Sequence, residues 1–136
     1  MSSEAITRND LTAVLNEVLP VGATDYIVEY GTSGNWTYRK WNSGIAECWS
    51  SNNRTISSWT AWFSWYYGNP YNVAYTFPTG LFISAPTVTA TGSGLATLLM
   101  AEGTVTSTST CYYYPIRPDN LGSGMVVHVY AIGRWK

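Results

Sequence analysis

Residues 35–49, NWTYRKWNSGIAECW, predict two antiparallel β-strands and decide the interpretation of the whole chain. Side chains alternate along a strand, so the first strand carries Trp36, Tyr38 and Lys40 on one face and Thr37, Arg39 and Trp41 on the other. The turn at residues 42–44, Asn-Ser-Gly, provides residue types that tolerate the positive φ of a tight hairpin. Three tryptophans in one hairpin present a large apolar area, which other strands must cover.

The composition favours a single β-domain. The chain has 136 residues, of which 15% are aromatic and only 11% charged, with a formal net charge of -1. The part after residue 25 is rich in Thr, Ser, Val, Tyr and Gly, which is typical of many short strands. Without a basic block, nucleic-acid binding is not expected. No apolar run has the length of a membrane span and no signal-peptide pattern occurs at residues 1–4, so we expect synthesis in a cytosol and no membrane insertion.

Turn residues divide residues 25–136 into roughly eight strands, spaced as in a β-sandwich. Residues 95–102 suit a helix or a strand, and we interpret them as a strand because a Gly-Ser-Gly turn precedes them and Gly103 follows. The last strand, residues 125–135, has two largely apolar rows, so we expect it to be central and covered on both faces. The predicted fold is all-β, an antiparallel β-sandwich of roughly eight strands preceded by one short N-terminal helix.

That helix is predicted over residues 7–19, with Thr7 as its N-cap and Pro20 and Gly22 at its end. A helix of about 12 residues is marginal alone in water, so its apolar stripe must dock on something. One alternative is docking on its own domain, and the other is a short three-stranded bundle with copies of itself. The candidate oligomerisation residues are Leu11, Val14, Leu15 and Val18. We therefore divide the chain into a helical arm, residues 1–24, which is a candidate trimerisation segment, and a β-sandwich, residues 25–136.

Catalytic patterns are absent from the sequence. Glu29 and Glu47 lie on early strands and could approach each other as a glycosidase pair, but the favoured interpretation is that both are sheet-surface residues paired with Arg39 or Lys40. No nucleophile elbow, P-loop or dinucleotide fingerprint occurs, and His128, the one histidine, lies mid-strand between valines. We expect no enzymatic activity and no cofactor.

The two cysteines, Cys48 and Cys111, could form one bridge at most. In a cytosol they are expected to be buried free thiols. Their spacing fits no metal motif and the chain has a single histidine, so no metal site is expected either.

Residues 50–72 interleave aromatic with small polar side chains, a composition that suits sugar binding, because a sugar ring stacks on Trp or Tyr while amides and hydroxyls bond its OH groups. The alternative is that these aromatics close the ends of a small core. A second aromatic run is Tyr112-Tyr113-Tyr114, in which alternation places Tyr113 opposite its neighbours. The candidate ligand-binding residues are Trp59, Trp62, Trp65, Tyr66, Tyr67, Tyr71 and Tyr113.

Four segments carry a family resemblance. They are YIVEYGTSGNWTYRKWNSGIAECW at 26–49, AYTFPTGLF at 74–82, PTVTA at 86–90 and MVVHVYAIGRWK at 125–136. In this order the segments resemble the C-terminal region of tail-associated structural proteins of phages and prophages, especially those of Gram-positive gut bacteria. The last segment is similar to the end of many tail-fibre tip domains, in which a hydrophobic strand continues into Ala-Ile-Gly.

The resemblance implies a trimeric β-sandwich tip domain of a virion tail, made in the bacterial host cytoplasm. It implies that the partners are copies of the chain itself, other tail proteins and a host cell-surface component, often a glycan. It assigns no particular binding residue. The alternatives are a structural tail component without receptor affinity, a stand-alone lectin-like carbohydrate-binding module and, least supported by the residues, a polysaccharide depolymerase.

Overall fold

The computed structural model describes residues 24–96 and 99–136. The helix predicted over residues 7–19, with its apolar stripe, lies outside the described residues. Within them the chain forms ten strands and no helix. The strands are β1 (Ile27–Ser33), β2 (Trp36–Trp41), β3 (Ile45–Thr55), β4 (Ser58–Trp62), β5 (Trp65–Asn69), β6 (Val73–Thr76), β7 (Thr87–Ser93), β8 (Leu99–Glu102), β9 (Thr110–Arg117) and β10 (Gly124–Arg134).

The strands form two antiparallel sheets. The first sheet has the order β1-β2-β3-β10-β7. In the second sheet β4 pairs with β5, and β9 pairs with β5, β6 and β8. The all-β class therefore matches the prediction, but the predicted fold of roughly eight strands with one helix is wrong for the described part of the chain, which has ten strands and no helix. The additional strands, β4 and β5, come from residues 50–72.

The hairpin of β2 and β3 has the predicted alternation. Tyr38 lies opposite Cys48 and Arg39 opposite Glu47. Trp36 is buried in the core and Tyr38 packs against it, whereas Arg39 and Trp41 point to the outer face and contact Glu47. Gly44 closes the turn with a φ of +99°, a conformation that favours glycine.

The core lies between the two sheets. The first sheet contributes buried side chains from β2, β3 and β10, and the second contributes Tyr75, Cys111 and Tyr113. Phe77 and Phe82, in the connection after β6, add an edge-to-face pair with ring centroids 5.3 Å apart. Cys48 and Cys111 are free and buried, and burial raises the pKa of each thiol to about 12. Both thiols are therefore protonated packing groups at neutral pH.

β10 lies between β3 and β7, but it is covered on one face only. Its inner row, Met125, Val127, Val129 and Ala131, is buried. His128, Tyr130 and Ile132 on the other face are exposed, so the prediction of a strand covered on both faces is wrong. The physical reason is that valine, isoleucine and tyrosine favour strands on exposed faces as well as buried ones. The outer face of the first sheet is thus a surface with aromatic and hydroxyl side chains.

Candidate functional site

Four aromatic side chains, three on the second sheet and one in the connection between β5 and β6, line an open groove of about 380 Å³. They are Trp62, Tyr67, Tyr71 and Tyr114, and this feature is called the aromatic groove below. Trp62 and Tyr71 are about half exposed, at 50% and 56%. The rings are therefore available to a ligand from solvent.

Strand pairing brings these rings together. Trp62 lies opposite Trp65 in the hairpin of β4 and β5, and Tyr67 lies opposite Thr60. Trp59 precedes Thr60 on β4 and therefore points to the opposite face, where it lies opposite Gly68 and packs against the core. Tyr67 also lies opposite Ile116 of β9, which places Tyr114, two residues along the same face, at a diagonal position.

The three tyrosines form a triangle of edge-to-face contacts. Ring centroids are 5.8 Å apart for Tyr67 and Tyr71, 6.0 Å for Tyr67 and Tyr114, and 5.8 Å for Tyr71 and Tyr114. Each ring is thus held by its two neighbours in a favourable aromatic geometry. Mutual packing therefore orders the three rings.

A buried arginine positions two of these tyrosines. Arg54 of β3 donates from Nη1 to the carbonyl of Tyr113 at 2.8 Å and from Nη2 to the carbonyl of Pro70. These two carbonyls immediately precede Tyr114 and Tyr71 in the chain. Burial lowers the pKa of Arg54, against an opposing effect of the nearby Tyr75 hydroxyl. Arg54 therefore links the first sheet to the floor of the aromatic groove.

Three of the seven predicted binding residues, Trp62, Tyr67 and Tyr71, line the aromatic groove. Trp59 packs against the core and donates from Nε1 to the carbonyl of Gly122 at 2.9 Å. Trp65 and Tyr66 are half-buried on β5 and do not line the groove.

Tyr113 lies in the core, with 8% of its surface exposed and its hydroxyl donating to the carbonyl of Val88 at 3.4 Å. The alternation was inferred correctly, but Tyr112 and Tyr114 are the outward members of the run. Tyr114 and Arg54 are site residues that the sequence pattern missed. Only the strand register, which no local signal specifies, brings them to the groove.

The outer face of the first sheet carries a buried carboxylate network. Glu47 accepts from Arg39 Nε at 2.8 Å and Nη2 at 3.2 Å, from Trp41 Nε1 at 2.6 Å and from the Tyr130 hydroxyl. Burial alone would raise the pKa of Glu47, but the three donor groups together outweigh it and lower the pKa to about 2. The Arg39 guanidinium also lies over two tryptophan rings, 5.3 Å from Trp41 and 5.2 Å from Trp49.

The two carboxylates considered as a glycosidase pair are instead paired with cations. Glu47 binds Arg39, and Glu29 lies 3.2 Å from Lys40 Nζ. This confirms the alternative in which both are ion-paired sheet residues. Glu47 is more buried than that alternative implied, at 7% exposed.

In residues 24–96 and 99–136, no three His, Cys, Asp or Glu side chains converge as a metal site requires. Over the same ranges no helix is long and apolar enough to span a membrane.

No family model and no curated protein matches the chain. Two solved structures do. One is a P. aeruginosa R1 pyocin fibre comprising C-terminal residues, with 20% sequence identity and a TM-score of 0.58, and the match covers 95% of this chain and 32% of that chain. The other is an N-truncated R1-type pyocin tail fibre, with 18% identity and a TM-score of 0.56, covering 95% of this chain and 98% of that chain. The chain therefore has the fold of these tail-fibre fragments and spans about a third of the longer one.

Proposed function

We propose that this chain is a non-enzymatic tip domain of a phage or prophage tail, which binds a host cell-surface glycan as a homotrimer. The observation that carries the proposal is the aromatic groove, whose exposed rings suit a sugar. The shared fold with pyocin tail-fibre fragments supports the tail assignment. The place of action would be the virion tail.

The aromatic groove suits a saccharide for a physical reason. An aromatic ring has a negative face, which attracts the weakly positive C–H groups on one side of a sugar ring. Trp62 and Tyr71 offer such faces, and the phenol hydroxyls of Tyr67 and Tyr114 can donate to or accept from sugar hydroxyls. Because the tyrosines are ordered by mutual packing, little side-chain freedom is lost on binding.

Binding is tested with the full chain, fluorescently labelled, on a panel of bacterial cells and on polysaccharides purified from their surfaces. Trp62→Ala and Tyr71→Ala are expected to reduce binding at least tenfold. Tyr26→Ala is a matched control, since Tyr26 is an equally exposed tyrosine, at 51%, outside the groove. Equal loss in all three variants, or none, would overturn the groove as the binding site.

Assembly is tested by light scattering on the full chain and on a version that starts at Thr24. We expect a trimer that weakens on truncation, because residues 7–19 carry the candidate oligomerisation stripe. A stable trimer that binds no cell would favour a structural tail component without receptor affinity. A monomer in both forms would favour a stand-alone lectin-like module. Release of reducing ends from a bound polysaccharide would contradict the proposal that the chain has no enzymatic activity.

A further inference from the structure

The outer face of the first sheet carries a second open groove, of about 260 Å³. It lies on a different sheet from the aromatic groove and shares no lining residue with it. The lining side chains used below are Trp49, Ser51, Thr89, Thr91, His128 and Tyr130. This feature is called the hydroxyl groove.

Strand register arranges the hydroxyl groove as two parallel rows. In the first row Tyr130 of β10 lies between Trp49 of β3 and Thr89 of β7. In the second row His128 lies between Ser51 and Thr91. Residues two apart on a strand share a face and are about 7 Å apart. An aromatic row therefore runs beside a row of hydroxyl and imidazole groups.

His128 orders the hydroxyls around it. Its Nδ1 lies 2.9 Å from Ser51 Oγ, and its Nε2 lies 3.1 Å from Ser93 Oγ. In its neutral form an imidazole has one donor and one acceptor nitrogen, and in that form one serine donates to the ring and the other accepts from it. The accepting serine keeps its O–H for an outside acceptor, and the donating serine keeps oxygen lone pairs. The row thus offers both donors and acceptors, as sugar hydroxyl groups require.

Charge defines the class of ligand. None of the residues that line the hydroxyl groove is Asp, Glu, Lys or Arg. Glu47, beside it, is neutralised by Arg39, and the Tyr130 hydroxyl is occupied in donating to Glu47. Tyr130 therefore offers its ring to a ligand. Phosphate groups and acidic peptides would find no free cation among the lining residues.

We propose that the hydroxyl groove is a second binding site, for a neutral saccharide. The sugar ring stacks on Tyr130 and contacts Trp49, one face of which lies under the Arg39 guanidinium. Its hydroxyl groups bond to Ser51 and Thr91, and His128, whose two ring nitrogens are taken up by Ser51 and Ser93, orients these two serine hydroxyls. This site goes beyond the proposed tail function, and it does not depend on the aromatic groove.

The test is an NMR titration of the full chain with neutral oligosaccharides built from glucose, galactose, mannose or N-acetylglucosamine, each to millimolar concentration. We expect at least one of them to shift the amide signals of Ser51, Thr91 and His128. Thr91→Val should weaken that binding about three- to tenfold, the value of one hydrogen bond. Thr87→Val is the matched control, because Thr87 is an exposed threonine on the same strand and face but outside the groove lining.

Variants of the aromatic groove separate the two proposals. Saccharide binding that persists in Trp62→Ala but weakens in Thr91→Val supports the hydroxyl groove as a binding site, whether or not the aromatic groove also binds a saccharide. Binding that weakens only in Trp62→Ala overturns the second site and leaves the first. No shift with any of the oligosaccharides also overturns it. If His128→Ala lowers the mass in solution without changing saccharide binding, another copy of the chain covers this face and the proposal is wrong.

Discussion

At the scale of single residues, Glu47 is the clearest case of a side chain held by its surroundings. A carboxylate 7% exposed would be unstable as an ion, yet Arg39, Trp41 and Tyr130 all donate to it. The resulting pKa of about 2 means that folding stabilises the carboxylate form of Glu47 relative to the protonated carboxylic acid. Glu47 therefore contributes stability that depends on pH.

We predict that Glu47→Gln lowers the free energy of unfolding by roughly 1–3 kcal/mol at neutral pH, since a charged group with three donors is lost. The folded pKa lies below the ordinary 4.5, so this contribution is present above pH 4.5 and is lost as pH falls towards 2. Urea unfolding across that range should show the difference between the wild type and Glu47→Gln shrinking. Glu29→Gln is the control, because the half-exposed Glu29–Lys40 pair is worth at most about 1 kcal/mol. A pH-independent difference would contradict the prediction.

Arg54 is the second residue with a testable role. Arg54→Met removes the donors to the carbonyls of Tyr113 and Pro70, and we expect a loss of about 1–3 kcal/mol in the free energy of unfolding. The amide signals of Tyr71 and Tyr114 should shift or broaden, because their backbone is no longer tied to β3. The signals of Trp49 and Tyr130 on the other sheet are the internal control. Equal changes on both sheets would indicate a general structural role and contradict the positioning role.

These two residues also mark the limit of prediction from sequence. The pairing of Glu47 with Arg39 was predictable, because both lie in a hairpin whose turn is evident, and alternation places Trp41 on the face of Arg39. Tyr130, the third donor to Glu47, was not predictable, since it lies 83 residues away in the chain. Arg54 was not predictable, since its acceptors lie 16 and 59 residues away in the chain. Tyr113 and Tyr114 differ in burial because one face of the second sheet packs on the core and the other faces solvent. Alternation separates neighbouring residues but does not say which one faces in.

At the scale of elements, the β2–β3 turn depends on glycine. At Gly44, with a φ of +99°, a Cβ would lie 2.5 Å from Arg134 Nη2 and 3.2 Å from the carbonyl oxygen of Lys136. At Gly34, with a φ of +58°, a Cβ would meet nothing within 4 Å. The flexible Arg134 side chain can move aside, so the φ of +99° and the nearby Lys136 carbonyl make Gly44 the more demanding position. We predict that Gly44→Ala lowers the free energy of unfolding by about 2 kcal/mol or more and Gly34→Ala by about 1 kcal/mol. Thermal unfolding measures both, and equal losses would contradict this difference between the two glycines.

Elements with strong local signals were predictable and the others were not. The β2–β3 hairpin has a turn and two alternating strands, so its existence and its faces followed from the sequence. β4 and β5 have aromatic residues on both faces, so the pattern has no clear period of two. For β10 the burial prediction was wrong because both rows of side chains are largely apolar, although the outer row faces solvent.

At the scale of the whole molecule, the two sheets present two chemically different grooves. The aromatic groove offers ring faces and phenols, and the hydroxyl groove offers one aromatic row beside hydroxyls and an imidazole. Both are shallow and open, and shallow sites bind single sugars weakly. A useful affinity for a cell surface would therefore have to come from several sites acting together.

Because affinity for a cell surface would depend on several sites acting together, oligomerisation can be tested separately from the binding of a single saccharide. The double variant Val14→Asp, Val18→Asp, in the full chain, places charges in the predicted apolar stripe. If the stripe joins three copies, the mass in solution should fall to that of a monomer. Binding to cells should then weaken by about 10²-fold or more, because the second and third contacts are no longer intramolecular. The affinity for a soluble oligosaccharide should stay unchanged, since each groove belongs to one chain. A parallel loss of both affinities would mean that the site itself spans two chains, and unchanged mass would place the assembly contacts elsewhere in the molecule.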